Sequence, residues 1–282
     1  MKFPLPKIPL ATWVTAIVNW IVKEIGPFLS AISDFIRVIV NHVISFLDWV
    51  PPYVLILVFA ILAYRAGKWK LALGTVLGLL LIWDLNLWKD MIITLVLVLI
   101  SSLVSVLIGL PLGIWSARRE RVYRVVSPIL DLMQTMPSFV YLIPVIMLFN
   151  IGLVPAIIAT VIFAMPPTIR LTRLGILHVP GELVEASRAF GTNDSQLLWK
   201  VQVPLATPNI KAGINQTIML ALSMVVIASM IGAGGLGSDV MSALQTINVG
   251  QGFEAGICIV ILAIVMDRIS QKFGGKRTTA SE

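Results

Sequence analysis

Two stretches, Met91–Ala117 and Ala212–Ser238, carry no charged side chain, and a third, Leu132–Ile169, is longer still. Roughly 20 apolar residues of helix cross the hydrocarbon core of a bilayer. A helix that is apolar all round, repeated several times in one chain, has only a membrane to hide in. Composition agrees, with 58% hydrophobic and 12% charged residues, against about 25% charged in soluble domains. Mean hydropathy is +0.95. The chain is therefore read as an all-α integral membrane protein, since helices satisfy their own backbone in lipid.

The number of crossings follows from the breaks. Leu132–Ile169 is too long for one span, and Gly152 with Pro155 divides it. A further segment runs from Val249 to Ser270, with Glu254 and Asp267 near its ends. Val50–Tyr64 and Leu71–Trp83 are short, but RAGKWK between them reads as a tight turn. Seven crossings result.

Orientation comes from Lys and Arg, which favour the cytoplasmic side. Arg65, Lys68 and Lys70 form one group, and Arg118, Arg119, Arg121 and Arg124 a second. Arg170, Arg173, Arg188, Lys200 and Lys211 form a third; Arg268, Lys272, Lys276 and Arg277 close the chain. Seven crossings put these sixteen of the 21 basic residues on one side, while Ala233–Phe253 opposite has none. The C-terminus is expected in the cytoplasm and the N-terminal tail outside. This distribution also explains the net charge of +7 without nucleic acid. MKFPLPKIPL is not read as a signal peptide, for it lacks an apolar core and a cleavage site.

Residues 1–49 form the outer tail. From Phe28, apolar residues recur at Ile32, Phe35, Ile36, Ile39, Val43 and Leu47, with Ser33, Asp34, Arg37 and Asn41 on the other side. That is helical spacing with a wet face, and a helix lying along the outer interface is expected.

IGAGGLG, Ile231–Gly237, contains G-x-G-x-x-G. The pattern signals a dinucleotide site only after a strand within a βαβ unit. Here it follows a membrane helix, so the glycines are read as a tight turn at its outer end.

Between the crossings lies one long polar stretch, Gly175–Pro208. Leu183–Phe190 reads as a short helix, with Pro180 and Gly181 before it and Gly191 after it. Asn193 or Asp194 caps a second helix through about Val201. Pro204 and Pro208 are expected to keep it separate from the next crossing.

This stretch resembles the cytoplasmic motif of ABC importer permeases: E-A-A, three residues, G, nine residues, I-x-L-P. The chain has Glu185-Ala186-Ser187, Gly191, then Val201, Val203 and Pro204 at that spacing. Three further segments are similar to the glycine betaine/proline/choline branch: DLMQTMPSFVYLIPVIMLFNIG (Asp131–Gly152), IGAGGLG, and VGQGFEAGICIVILAIVMDRISQ (Val249–Gln271). The whole resembles the stand-alone glycine betaine permease of Gram-positive bacteria, a group tied to osmoprotection and amino-acid transport.

The resemblance implies a type I ABC importer permease fold: a five-helix core over 89–271, two extra N-terminal crossings over 50–88, and the outer amphipathic helix. Residues 272–282 would be a cytoplasmic tail. It also implies the partners: a second permease copy, two ATP-binding subunits docked on 175–208, and an extracellular lipid-anchored binding protein. The chain has no P-loop of its own; GGKRTT at Gly274 lacks the spacing. No catalytic residue and no cofactor is expected in it, with ATP-Mg on the partner subunit. His42 and His178 are isolated, so no metal site is expected. Cys258 reads as a small buried hydrophobe.

For the solute path, Gln134, Phe139, Tyr141, Asn215 and Ser223 are the candidates, with Phe149 and Phe163 as further aromatic contacts. Aromatic faces suit a quaternary ammonium. Asp131 is expected near the cytoplasmic headgroups. Gly74/Gly78 and Gly109/Gly113 have small-xxx-small spacing and are read as helix-packing sites. A secondary transporter would need intramembrane ion-coupling groups or paired broken helices, and the central crossings are nearly free of charge. An enzyme would need a cluster of nucleophiles, bases or metal ligands, which two isolated histidines do not make. Within the ABC class, a permease for another small solute such as methionine is the nearest rival, and the betaine-type segments argue against it.

Overall fold

A computed structural model describes residues 9–273 of the chain. Met1–Ile8 and GGKRTT lie outside the described residues. The elements described are helical throughout. In order they are α1 (Leu10–Trp49), α2 (Pro52–Asp84), α3 (Trp88–Arg118), α4 (Glu120–Thr135), α5 (Leu142–Phe149), α6 (Leu153–Ala164), α7 (Pro166–Leu177), α8 (Gly181–Ala189), α9 (Asp194–Gln196), α10 (Val203–Ala228), α11 (Leu236–Thr246) and α12 (Val249–Phe273).

Among the described residues, five stretches are long and apolar enough to cross a membrane: Val18–Trp49, Trp88–Arg118, Leu153–Leu177, Asp194–Ile231 and Val249–Gln271. A bent pair, Glu120–Thr135 and Ser138–Phe149, turns by 112° at Met136 and Pro137, as a broken span or a re-entrant loop does. In α2 the helical geometry fails at Gly67 and Lys68, inside RAGKWK, where Lys68 has φ 63°. The halves on either side are each shorter than a usual span.

The centre of the bundle is α3, α6–α7 and α10. Their approach depends on small residues, as expected in lipid, where close van der Waals packing replaces the hydrophobic drive. A Cβ on Gly109 or Gly113 of α3 would meet Thr168 at 3.0 Å or Thr172 at 2.7 Å on α7. On the other side of α7, a Cβ on Gly175 would lie 2.8 Å from Asn209 of α10. Thr217 of α10 donates to the Ala164 carbonyl, and its Oγ1 lies 2.8 Å from that of Thr168. Gly78 of α2 packs against Ile261 of α12, whereas Gly74 has open space beside it.

Two expectations are corrected. Of the polar side expected on the tail helix, Asp34, Arg37 and Asn41 are exposed, but Ser33 is buried, with Val40, against the bundle. Of the apolar side, Ile32, Ile36 and Leu47 are half-buried, while Phe28, Phe35, Ile39 and Val43 stay exposed. In lipid an apolar side chain can be left uncovered, so helical spacing did not settle which residues pack. Nor do Pro204 and Pro208 interrupt the chain. Asp194–Ile231 runs on as one helical stretch, because Leu197–Gln202 forms a wider π-helical turn. Pro204 has no N–H for the carbonyl four residues back, and its ring crowds that carbonyl; the π turn provides the room.

Candidate functional site: the docking segment and the outer turn

The polar segment 175–208 is assembled from local signals. Pro180 precedes α8, and Gly191 follows it at φ +81°, the left-handed region that glycine enters without cost. Thr192 closes the turn through two bonds to the Ser187 carbonyl, from its N–H at 3.2 Å and its hydroxyl at 2.7 Å. Asn193 and Gln196 then form a reciprocal capping box. Ser187 donates to the Leu183 carbonyl, so its hydroxyl needs no outside partner.

No residue of α8 is buried. Glu185 and Ala186 are exposed, as is Pro204, while Ser187, Val201 and Val203 are half-buried. Leu197 and Leu198 anchor the π turn inward. Three large apolar side chains that the motif did not indicate stand beside these small residues: Leu183 (45% exposed), Trp199 (58%) and Phe190 (90%). Their only sequence signal was hydrophobicity in a polar stretch. A ring as bare as Phe190, on the membrane-flanking side of a bundle, marks a contact surface.

Behind the segment, α7 is tied to α4. The Arg173 guanidinium stacks 3.4 Å from the Tyr123 ring centre and donates to Glu120 at 2.9 Å. Arg170 binds Asp131. Asp131 is thus held by a cation beside the bundle's basic rim.

At the other end of α10 the glycine turn is enclosed. Gly232, Gly234 and Gly235 all have φ between +73° and +77°. The Leu236 N–H donates to Thr94 Oγ1 at 2.9 Å, and Thr94 in turn donates to the Asp90 carbonyl at 2.8 Å. A Cβ on Gly235 would lie 2.6 Å from Thr94 Oγ1. Glycine is required here by both conformation and space. The turn joins two helices, so it has no dinucleotide-binding context.

Of the five path candidates, Gln134, Phe139 and Ser223 are exposed on the bundle. Tyr141 is buried, its ring edge-on to Phe163 at 6.3 Å and its hydroxyl on the carbonyls of Leu132 and Met133. Asn215 turns toward α12, donating to Asp267 at 3.2 Å and accepting from Ser270. Cys258 is buried, and His42 is exposed on α1 with Nδ1 2.7 Å from the Val38 carbonyl.

The chain is a helical membrane bundle that leaves the short helix α8 bare on one side. The family described as "Binding-protein-dependent transport system inner membrane component" matches residues 109–276, and the chain belongs to it. It is 53% identical over 273 residues to the glycine betaine transport system permease protein OpuAB of Bacillus subtilis, covering 97% of each chain. The glycine betaine/carnitine transport permease protein GbuB of Listeria monocytogenes is 52% identical, over 96% of this chain and 98% of that one. Among solved structures, the inward-facing MetNI methionine ABC transporter aligns with TM-score 0.59 and 26% identity, over 67% of this chain and 94% of that one. The protein is thus a multi-pass membrane permease of the type I ABC importer fold.

Proposed function

We propose that the chain is the permease of an ATP-driven, binding-protein-dependent importer for glycine betaine or a related quaternary ammonium solute. The observation that carries the reading is end-to-end similarity to two glycine betaine permeases at more than 50% identity. ATP is hydrolysed on a separate subunit, where ATP-Mg binds; this chain contributes no cofactor site. Two copies form the path, and two ATP-binding subunits dock on 175–208 through Glu185, Ala186, Ser187 and the turn at Gly191. Val201, Val203 and Pro204 link that contact to α10. A lipid-anchored binding protein delivers solute from outside, the C-terminus is cytoplasmic and the N-terminus outside. Nucleotide-driven closure of the ATPases moves α8, and the bundle switches between two packed arrangements.

Residues 1–49 are the outer tail, 50–88 two additional crossings, 89–271 the transporting core and 272–282 a cytoplasmic tail. This gives seven crossings: the two halves of α2, α3, the bent pair α4–α5, α6–α7, α10 and α12, with Val18–Trp49, long and apolar enough for an eighth, lying along the outer face instead.

The test is reconstitution. The permease alone in liposomes should take up no betaine, and adding the ATPase and binding protein should give uptake that needs internal ATP. Ala186→Trp should overpack the docking contact by about 1–3 kcal/mol, releasing the ATPase while the bundle stays folded. Uptake by the permease alone would refute the reading, and full co-purification and uptake by the Trp variant would remove α8 from it.

A further inference from the structure

The bundle's outward-facing stripes differ in kind. Along the middle of α3 the exposed residues are Leu99, Leu103, Leu107 and Ile108. On α12 they include Phe253, Val260 and Ile264, with Glu254 and Arg268 exposed nearer its ends. Such branched and aromatic stripes suit acyl chains. On α10, Pro204, Leu205 and Pro208 are exposed near its start, and from Ala212 on the exposed residues are Ala212, Gln216, Met219 and Ser223, with Met230 in the turn that follows. At 100° per residue the four from Ala212 to Ser223 fall within about 60° of one another. From Ala212 on, this face exposes polar groups, alanine and methionine and no Leu, Ile or Val.

Depth makes the difference significant. Gln216 is fifteen residues from Ile231, the outer end of the span, which is about 22 Å of helix. It therefore lies within the hydrocarbon layer, on the inner side. A side-chain amide facing lipid there has no partner, and polar groups in spanning helices face protein or water-filled cavities. Ser223 returns its hydroxyl to the Met219 carbonyl at 3.2 Å, but Gln216 makes no such bond among the described residues.

The surroundings at that depth are also polar. The Thr168–Thr217 bond sets α7 and α10 in register. Two residues along α7, Arg170 holds Asp131, which places the end of α4 close to the same layer. The broken span then turns at Met136–Pro137, with Gln134 and Thr135 exposed. Its next segment, Ser138–Tyr141, packs on α10. Asn215, Asp267 and Ser270 complete the layer on the α12 side. Broken helices within a membrane mark solute sites in transporters.

We infer that the Gln216–Met219–Ser223–Met230 stripe lines the solute path, with Gln216 the specificity-determining residue at its inner constriction. The inference rests on the transport reading above and names the residues of its path. The Gln216 amide can donate to a solute carboxylate. The flexible, polarisable Met219 and Met230 thioethers can receive a trimethylammonium group without demanding a fixed fit.

The test uses the complete assembly in liposomes, in a Cys258→Ala background whose ATP-dependent betaine uptake is measured first. Absence of that uptake would defeat the transport reading by itself. Single Gln216→Cys and Ser223→Cys variants are then treated with a methanethiosulfonate bearing a trimethylammonium group, alongside Leu103→Cys from the α3 stripe. Thiolates form only where water reaches them, so both α10 variants should react at least about tenfold faster than Leu103→Cys. Modification should block uptake, and betaine with ATP should slow the reaction. Ser223→Cys is nearly isosteric, so a folding defect at Gln216 would not remove the readout. If both α10 variants react no faster than Leu103→Cys, the stripe is lipid-facing or dry against a second copy, and the inference is overturned. Modification of Gln216→Cys that leaves uptake intact overturns it equally.

Discussion

The turns before and after α10 make opposite use of glycine. In the turn after it, Gly235 sits at φ +75° with no room for a side chain, its neighbour bonded to Thr94. In the turn between α8 and α9 that precedes it, Gly191 has nearly the same φ, +81°, but nothing within 4 Å of where a Cβ would stand. One turn is completed by the chain's own helices; the other has its conformation fixed and its surface left open. The first belongs to the fold. The second has the form of a part made for a partner, and its exposed Phe190 and Trp199 are the apolar surface such a partner would cover.

The comparison is broken most readily at Gly235. Alanine there would combine a conformation costing about 1–3 kcal/mol for a non-glycine residue with a clash at Thr94. It would also push the Leu236 N–H from its acceptor. Gly235→Ala should lower the melting temperature of purified permease and its abundance in the membrane, with uptake falling in proportion. A variant with wild-type melting would show that the turn is not locked as described.

A smaller loss of stability and a sharper loss of function are expected at Gly191. Gly191→Val meets the same backbone strain, about 1–3 kcal/mol, but no steric neighbour. The strain is confined to a segment that packs little on the bundle, so melting of the bundle should change little. The path of the chain between α8 and α9 would change, and betaine uptake per molecule should drop severely, with weaker co-purification of the ATPase. Equal uptake at equal abundance would remove Gly191 from coupling.

These two sites also show what the sequence could express. Gly191 and a cap at Asn193 or Asp194 were legible because turn and cap chemistry acts within a few residues; the return bond from Gln196 to Asn193 came only with the structure. IGAGGLG was legible as a turn, but not its lock: Thr94 lies 142 residues from Leu236. On α1 the polar residues Asp34, Arg37 and Asn41 are exposed as their spacing implies, but Ser33 packs inward and Phe35 does not. Helical spacing separates polar from apolar side chains, yet a membrane does not drive every apolar side chain into protein. Pro204 was read as a break, since a proline's missing N–H is visible in a sequence and the π turn that accommodates it is not. Asn215 was named for the solute path and its neighbour Gln216 was not, although the two amides are alike in composition. Only the rotation of α10 distinguishes the amide bonded to Asp267 from the one left facing outward.

The finest test of the outer lock is its charge. Asp239 lies in α11, just past the glycine turn and outside the spanning helices, and its Oδ2 is enclosed without a hydrogen-bond partner. Burial, and secondarily the negative charge of Asp90, push its carboxyl up to about 6 from the ordinary 3.8. The sign follows from which form the fold disfavours. Below about pH 4 the group is protonated whether the chain is folded or not, and there is no penalty. Between about 4 and 6 the unfolded chain ionises first, and above 6 the full penalty for holding a carboxylate in that place is present. Asp239 should therefore make the outer turn more stable at pH 5 than at pH 7, the reverse of a salt-bridged carboxylate. Asp239→Asn should raise the melting temperature slightly at pH 7 and reduce the gain that the wild type shows on acidification to pH 5. The comparison is between the pH slopes of the two proteins, so other titrating groups cancel. Identical slopes would mean that water screens Asp239, and that the outer end is less enclosed than its glycines imply.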